Sequence, residues 1–472
     1  MTGRPESVTQ DAAPQSRDRS GLVLGVLSLA AFMAALDLFI VNVAFRDIGR
    51  SFPEESLSDQ SWVLNAYAVV YAALLVPLGR YADQRSRKTG FIAGLVVFTV
   101  ASLACALAPN LWFLVAARAV QAVGAAALTP TSLGLIVQTF SGPARTRAVR
   151  IWAATGAIAA AAGPVIGGSL VELSWRWVFL INIPTGILAV IVAVKVLRDG
   201  RDTSGTRAPG PLGAFFVILA VGALALALVQ GNDWGWGNPK TVTAFALAAA
   251  GSAALALQIA RSSRPLVDLA LLQVRTFRWS NLSVIGFGAA FAGFLLAGVL
   301  WAQLVWGYSD IKVGLCVAPG PLMVPVFAVL AQRAARRVSS SAITVTGCLL
   351  FAAGCVLVLT SVTVDGAYAT QLLPALLITG AGTGLALPEL LATATSELPP
   401  ERSTTGSAIV NTSRQIGAVV GVSLVIAYLP DFSGIEDPVP GFQHAWWACA
   451  ITAVLGAGAA MFMRPDRGVS KA

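Results

Sequence analysis

Four ionisable residues lie inside stretches of the sequence that are otherwise apolar, namely Asp37, Arg118, Glu389 and Arg414. A charged side chain within a bilayer is costly unless it faces a partner or a water-filled cavity, and such residues commonly mark ion or proton pathways. A carboxylate in this setting can bind and release a proton, although a structural ion pair is the simpler alternative. We therefore take these four residues as candidates for coupling proton movement to function.

The depths of these residues in the membrane predict two ion pairs. At a rise of about 1.5 Å per residue, Asp37 lies about 13 Å and Arg118 about 12 Å from the same membrane surface. By the same rule, Glu389 lies about 12 Å and Arg414 about 15 Å from the other surface, on consecutive antiparallel spans. Opposite charges at one depth are cheaper together than apart. The alternatives are an Arg118 side chain that extends to the surface and a Glu389 side chain that reaches water.

The composition indicates a polytopic membrane protein with an all-α fold. Of the 472 residues, 56% are hydrophobic and 12% charged, whereas soluble domains carry about 25% charged residues. Because about 20 apolar residues in a helix cross a bilayer, the apolar runs predict fourteen transmembrane helices. The predicted spans are 22–45, 61–80, 89–108, 111–137, 149–171, 178–197, 211–230, 241–260, 279–305, 313–332, 342–361, 368–394, 405–428 and 443–463.

Basic residues are distributed unevenly over the predicted loops. The tails and the loops on their side hold 25 Lys and Arg residues, whereas the loops on the other side hold 5. Since cytoplasmic loops are rich in Lys and Arg, both termini are predicted to lie in the cytoplasm. Membrane orientation thereby accounts for the net charge of +9, and we expect no nucleic-acid partner.

No arrangement of residues in the sequence indicates an enzyme. The five cysteines lie in apolar runs without a C-x-x-C pair, and the single histidine, His444, begins the last span, so no metal site is expected. Neither a catalytic triad nor a nucleotide-binding loop can be assembled, so we expect no catalytic residues and no cofactor, with the proton gradient as energy source. A membrane enzyme or a scaffold is the rival class, and an enzyme would need a nucleophile or metal ligands converging at one depth.

An internal repeat indicates two related halves. Residues 163–171 match residues 417–425, which sets the fifth span opposite the thirteenth. Two six-span bundles with two spans inserted between them account for this register, and transporters built from such repeats bind substrate near the bilayer midplane. The predicted division is a cytoplasmic tail at 1–20, a first bundle at 21–198, the inserted pair at 211–260, a second bundle at 277–463 and a second tail at 464–472.

The fifth span carries small residues on one face together with a proline. Gly163, Gly167 and Gly168 allow a neighbouring helix to approach closely, and Pro164 bends the helix. The run resembles the G-x-x-x-G-P-x-x-G-G motif of antiporters in the major facilitator superfamily. The W-R-W-x-F-x-x-N-x-P-x-G that follows is similar to that of the fourteen-helix drug:proton antiporter family. The resemblance implies a conformational gate, in which Gly163 and Gly167 contact the opposite half.

A second gate motif lies between the second and third spans. Gly79, Asp83 and Arg87 resemble the G-x-L-a-D-r-x-G-r-k loop of the same family, with Gln84 in place of the arginine and Ser86 in place of the second glycine. Gly79 would allow close helix approach, and Asp83 and Arg87 would latch the loop to the other bundle. The alternative is a basic loop that serves topology only.

The charged spans also match family motifs. Residues 36–44 resemble L-D-x-T-x-V-N-V-A-L-P, with Phe39 where the family has threonine, and residues 118–124 and 411–417 resemble R-x-x-Q-G-x-G and N-T-x-R-Q-x-G. The resemblance implies that four amide side chains line the substrate cavity, namely Asn42, Gln121, Asn411 and Gln415.

The function implied is export of an amphipathic drug or antibiotic in exchange for a proton, by alternating access across the bacterial inner membrane. A cationic substrate would suit a deprotonated carboxylate such as Glu389, and the protein is expected to act as a monomer in the lipid bilayer. A proton-coupled transporter of an ordinary metabolite is the alternative.

Overall fold

The computed structural model describes residues 17–198, 210–262, 265–398, 400–429 and 439–463. Within these ranges the chain forms helices joined by short loops, and the predicted all-α fold is confirmed. The long helices are α1 Arg17–Ser51, α2 Leu57–Arg85, α3 Arg87–Ala106, α4 Leu111–Thr139, α5 Gly142–Val171, α6 Trp177–Val196, α7 Pro211–Trp234, α8 Pro239–Arg261, α9 Arg275–Val305, α10 Asp310–Ala334, α11 Ser340–Ser361, α12 Tyr368–Ser396, α13 Pro400–Tyr428 and α14 Val439–Ala460. A short helix, Leu269–Gln273, precedes α9.

Thirteen of these helices, α1 to α13, are long and apolar enough to cross a membrane. The last helix, α14, has 22 residues and therefore also has the length of a span, and Gln443 and His444 make its first turns more polar. The structure thus agrees with fourteen membrane helices. All five cysteines are buried and unpaired, as expected of packing residues.

Two helix pairs repeat the same close packing. In the first half, α5 packs on α1, because Gly163 and Gly167 leave room for Phe39 and Ile40. In the second half, α13 packs on α9, where Gly417 and Gly421 lie against Ile285 and Ala289. The match between residues 163–171 and 417–425 is therefore a structural repeat, as the sequence predicts. The boundaries proposed for the two bundles and the tails stay predictions.

The inserted helices α7 and α8 lie beside the junction of α2 and α13. Helix α7 packs against both of them: Ser58 donates a hydrogen bond to the Val229 carbonyl at 3.0 Å, and Asn232 donates to the Ala427 carbonyl. Helix α8 packs mainly on α7, and most of its surface is exposed. The pair therefore flanks the two halves without entering the space between them.

The molecule has two ends that differ in how the halves meet. We call the end that carries Arg80–Lys88 and Arg333–Arg337 the basic end, and the end at which α9 passes into α10 the Asp310 end. At the Asp310 end, α5 contacts α10 closely, with Gly168 against the backbone of Asp310. Towards the basic end, a Cβ built at Gly156 would meet no atom within 4 Å. The halves therefore close on each other at the Asp310 end and leave a space nearer the basic end.

Candidate functional site

A fully buried charge network joins α1 to α4. Arg118 donates to Asp37 through its guanidinium and also to Gln121 at 2.6 Å. Gln121 in turn donates to the other carboxylate oxygen of Asp37 at 2.9 Å. Each of the three side chains is at most 1% exposed. The predicted Asp37–Arg118 ion pair is thus present in the structure.

The pair forms although the depth estimate behind it was inaccurate. Helix α1 runs to Ser51, so Asp37 lies about 21 Å from the end of its helix rather than 13 Å. Arg118 lies about 10 Å from the start of α4 at Leu111, and the two side chains meet because α1 projects further at that end. The network is closed on its other sides, with the Tyr67 ring 4.1 Å from the guanidinium carbon of Arg118. Protons or ligands reach Asp37 only if these groups move.

Two connected cavities lie beside this network, between the halves. The larger has a volume of about 340 Å³ and is lined by α1, α5 and α9 to α13, which is within the range of small-molecule sites. The smaller lobe, of about 90 Å³, is lined by α1, α2, α9 and α13, with Arg118 from α4 and Leu387 from α12. Residues common to both linings are Leu38, Phe39, Phe291, Leu295, Leu387 and Arg414. Phe39 and Phe291 meet edge to face at 6.3 Å, so one aromatic pair from the two halves separates the lobes.

The predicted cavity amides are placed unequally. Asn42 and Gln415 line the smaller lobe and Asn411 lines the larger cavity. Gln121 lines neither, because its amide donates to Asp37 and Ser102 and accepts from Arg118 and the Cys105 thiol. In this structure Gln121 therefore belongs to the charge network, and its contact with substrate stays a prediction.

Arg414 differs from Arg118 in having no partner among the described residues. Its Nε is buried without a hydrogen bond, and its side chain lines both lobes of the cavity. The residue lies 14 positions from either end of α13, about 21 Å deep. A positive charge in the middle of the molecule therefore faces the cavity without a compensating carboxylate.

The predicted ion pair between Glu389 and Arg414 is absent from the described part of the chain. Helix α12 ends at Ser396 and α13 begins at Pro400, so Glu389 lies about 10 Å and Arg414 about 21 Å from the basic end. The start of α13 is several residues earlier than the sequence indicates, and this separates the two charges by about two helical turns. Glu389 is buried and does not line either cavity, although Pro388 does.

The glycines of α5 serve two different contacts. Gly163 and Gly167 contact α1 of their own half, so the prediction that they meet the opposite half is wrong. The contact across the halves is made one residue further on in each case, by Pro164 and Gly168. Gly168 packs on Asp310, and Pro164 packs on Gly314 of α10. Because a glycine lies on both sides of this junction, the two backbones touch.

The motif between α2 and α3 contacts its own half. A Cβ at Gly79 would come within 2.9 Å of the Pro130 ring in α4, which confirms the close helix approach. Arg87 lies over Gly134, also in α4. The side chain of Asp83 lies outside the described side chains, so the latch to the other bundle stays a prediction.

A polar cluster at the Asp310 end was not anticipated from the sequence. Gln303, in the π-helical last turn of α9, donates to the Val43 carbonyl at 2.9 Å and to Asp310 at 2.8 Å. The Asp310 carboxyl also lies close enough to that of Asp47 of α1 for the two charges to interact. These contacts tie the first half to the second where the cavity is closed. Asp47 and Asp310 fell in predicted loops because α1 and α10 extend further than their apolar runs.

Two helix bundles with repeated packing, closed on each other at one end around a central cavity, define a membrane transporter. The comparison with protein families agrees: the chain belongs to the Major Facilitator Superfamily, whose model matches residues 27–422. The membership predicted from the motifs is thereby confirmed.

The chain is similar to named drug-resistance proteins over most or nearly all of its length. The methylenomycin A resistance protein of Streptomyces coelicolor is 30% identical over 470 residues, which are 99% of this chain and 97% of that protein. Multidrug resistance protein Stp of Mycobacterium tuberculosis is 31% identical over 408 residues, covering 86% and 75%. A crystal structure of an auto-inhibited POT family peptide transporter superposes with a TM-score of 0.68 at 17% identity, covering 96% and 98%, and shows the same fold.

Proposed function

We propose that this protein exports amphipathic drugs or antibiotics across the bacterial inner membrane in exchange for protons. Relatives similar over most of the chain are named for resistance to methylenomycin A or to several drugs. The cavity supports such a role, because apolar and aromatic side chains with a few polar groups suit a substrate that has both characters. The transporter needs neither a catalytic residue nor a cofactor in this proposal, and it acts as a monomer.

The observation that carries the proposal is the position of Arg118. This side chain binds Asp37 inside the closed network and at the same time lines the smaller lobe of the cavity. A proton on Asp37 would remove the charge that holds Arg118, so the guanidinium would become free to move relative to the lobe. Proton binding and the state of the cavity are therefore linked through one side chain.

Alternating access follows from the asymmetry of the two ends. The basic loops support an orientation with both termini and the basic end in the cytoplasm. In that orientation the cavity lies towards the cytoplasm while Gly168, Asp310 and Gln303 close the outer side. The structure then corresponds to the state that loads substrate from inside, and transport requires the α5–α10 contact to open.

A susceptibility panel tests the proposed function. The protein is expressed in an efflux-deficient bacterial host, and inhibitory concentrations are measured for neutral, cationic and anionic antibiotics, with a protonophore and with the Asp37→Asn variant as controls. We expect resistance to at least one drug that both controls abolish. If the expressed, membrane-inserted protein raises resistance to no drug, and instead supports uptake of a nutrient, the proposal is wrong and a metabolite transporter is favoured.

A further inference from the structure

Resting on the proposed function, we infer that the substrates of this transporter include amphipathic monoanions, whose carboxylate binds Arg414 in the smaller lobe while the apolar body occupies the larger cavity.

The charges of the cavity lining favour an anionic ligand. Among the described residues that line the two lobes, the ionisable ones are Arg118 and Arg414, and both are cationic. Arg118 is neutralised by Asp37, which itself does not line either lobe. Arg414 has no such partner, so the cavity presents one uncompensated positive charge. A cationic ligand would be repelled there, whereas an anion would supply the missing partner.

Unpaired hydrogen-bond donors around the smaller lobe also favour a ligand with acceptor oxygens. Gln415 and Asn65 both line this lobe and are at most 4% exposed. The Nε2 of Gln415, the Nδ2 of Asn65 and the Nε of Arg414 lack a hydrogen-bond partner in the described part of the chain, as does one acceptor, the Oδ1 of Asn65. Buried donors in folded proteins are nearly always paired, so three unpaired donors in one lobe indicate a ligand that accepts hydrogen bonds. A carboxylate has two oxygens for them and for the planar guanidinium.

The sizes of the two lobes indicate where each part of the ligand binds. The smaller lobe, of about 90 Å³, accommodates a head group but not a drug-sized molecule, whereas the larger cavity, of about 340 Å³, does. Arg414 lies where the two lobes join, beside the Phe39–Phe291 pair. Phe39 replaces the threonine of the family motif and makes this junction more apolar. A ligand with one charged end and an aromatic or aliphatic body matches both lobes at once.

This assignment differs from the expectation of a cationic substrate. That expectation depended on a carboxylate in the cavity, with Glu389 exchanging Arg414 for substrate. In the structure neither Glu389 nor Asp37 lines the lobes.

Equilibrium binding with a matched pair of probes tests the inference. Naphthalene-1-acetic acid and its neutral amide share one aromatic body and differ in the carboxylate. Binding of each radiolabelled probe is measured on the purified full-length protein in lipid nanodiscs at neutral pH. We expect the acid to bind at least about tenfold more tightly than the amide. Arg414→Gln should reduce binding of the acid to the level of the amide and leave the amide unchanged, whereas Arg414→Lys should retain part of the preference.

The control variant is Arg176→Gln, which removes the same charge from an exposed position at the Asp310 end and should bind both probes as the wild type does. Equal affinity of the wild-type protein for acid and amide would overturn the inference even if Arg414→Gln does not fold. Loss of both probes in a folded Arg414→Gln variant would also overturn it. Either result leaves drug export intact if the susceptibility panel still shows proton-dependent resistance, so the two proposals fail separately.

Discussion

Each half of this transporter has an arginine deep inside the molecule, but among the described residues only the arginine of the first half is paired with a carboxylate. In the first half, Arg118 is held by Asp37, Gln121 and the Val63 carbonyl, with Tyr67 over its face. In the second half, Arg414 faces the cavity without a described partner. The comparison teaches that pseudo-symmetric helices need not carry pseudo-symmetric functions: the closed network suits a proton, and the open charge suits a ligand.

The largest difference between the two halves is expected in the stability of the two arginine variants. Arg118→Gln leaves a buried carboxylate without its counter-charge and should destabilise the protein by about 3–5 kcal/mol. Arg414→Gln removes a cation that has no partner and should cost less than about 1 kcal/mol or stabilise the protein. Denaturant unfolding in detergent micelles, followed by circular dichroism, measures both. Equal destabilisation by the two variants would contradict the difference between the halves.

The contact between the halves offers the next test. Gly168→Ala places a Cβ against the backbone of Asp310 and Ile311, whereas Gly458→Ala in α14, away from both cavity linings, meets no atom within 4 Å. Because packed backbones cannot yield far, Gly168→Ala should lower transport about tenfold or more, and Gly458→Ala should stay within about twofold of the wild type. Transport into proteoliposomes is the measurement, with protein incorporation as the control. Normal transport by Gly168→Ala would mean that this contact is not required in the cycle.

Asp310→Asn addresses the closure at the Asp310 end. Two neighbouring carboxylates repel each other when both are charged, so a proton on Asp47 or Asp310 should favour the closed end at low pH, with Arg46 and Arg50 nearby opposing protonation. The amide that Asp310→Asn introduces can donate to Asp47 at any pH, so closure should lose its pH dependence in this variant. Spin labels at the exposed residues Leu173 and Val364 would report the distance between the halves between about pH 5 and pH 8. An unchanged pH profile in the variant would assign the sensitivity elsewhere.

The smallest effect is expected for the pair that does not form. Since Glu389 and Arg414 make no ion pair in this structure, a double-mutant cycle of Glu389→Gln and Arg414→Gln on unfolding free energy should give a coupling below about 0.5 kcal/mol. A coupling of several kcal/mol would show that the two charges meet in the dominant state in solution.

Much of the fold was predictable because the membrane imposes it. Apolar length alone indicates the spans, and the match between residues 163–171 and 417–425 indicates that the two halves are related. Helix ends were less predictable, because polar residues such as Asp47 continue a helix beyond its apolar run. The helix ends determined which of the two predicted ion pairs forms. Because α13 begins at Pro400, Glu389 and Arg414 lie at different depths. Asp37 and Arg118 form their pair although the estimated depth of Asp37 was inaccurate.

The sequence also does not show which neighbouring helix each glycine of α5 contacts. Gly163, Gly167 and Gly168 lie within six residues of one span, and nothing in the pattern distinguishes the two that contact α1 from the one that contacts α10. Likewise, the sequence does not show that Gln121 lies in the charge network, because its hydrogen-bond partners from α1 and α3 come together only in the folded bundle.

The central claim is that Asp37 in the first half binds the proton, whereas Arg414 in the second half binds the charged group of the substrate. Proteoliposomes can separate the two by comparing substrate counterflow, which needs no proton gradient, with uptake driven by an imposed pH gradient, using naphthalene-1-acetic acid as substrate. The account predicts that Asp37→Asn retains counterflow and loses gradient-driven transport, while Arg414→Gln loses both. Loss of counterflow in a folded Asp37→Asn variant together with full counterflow in Arg414→Gln would contradict it.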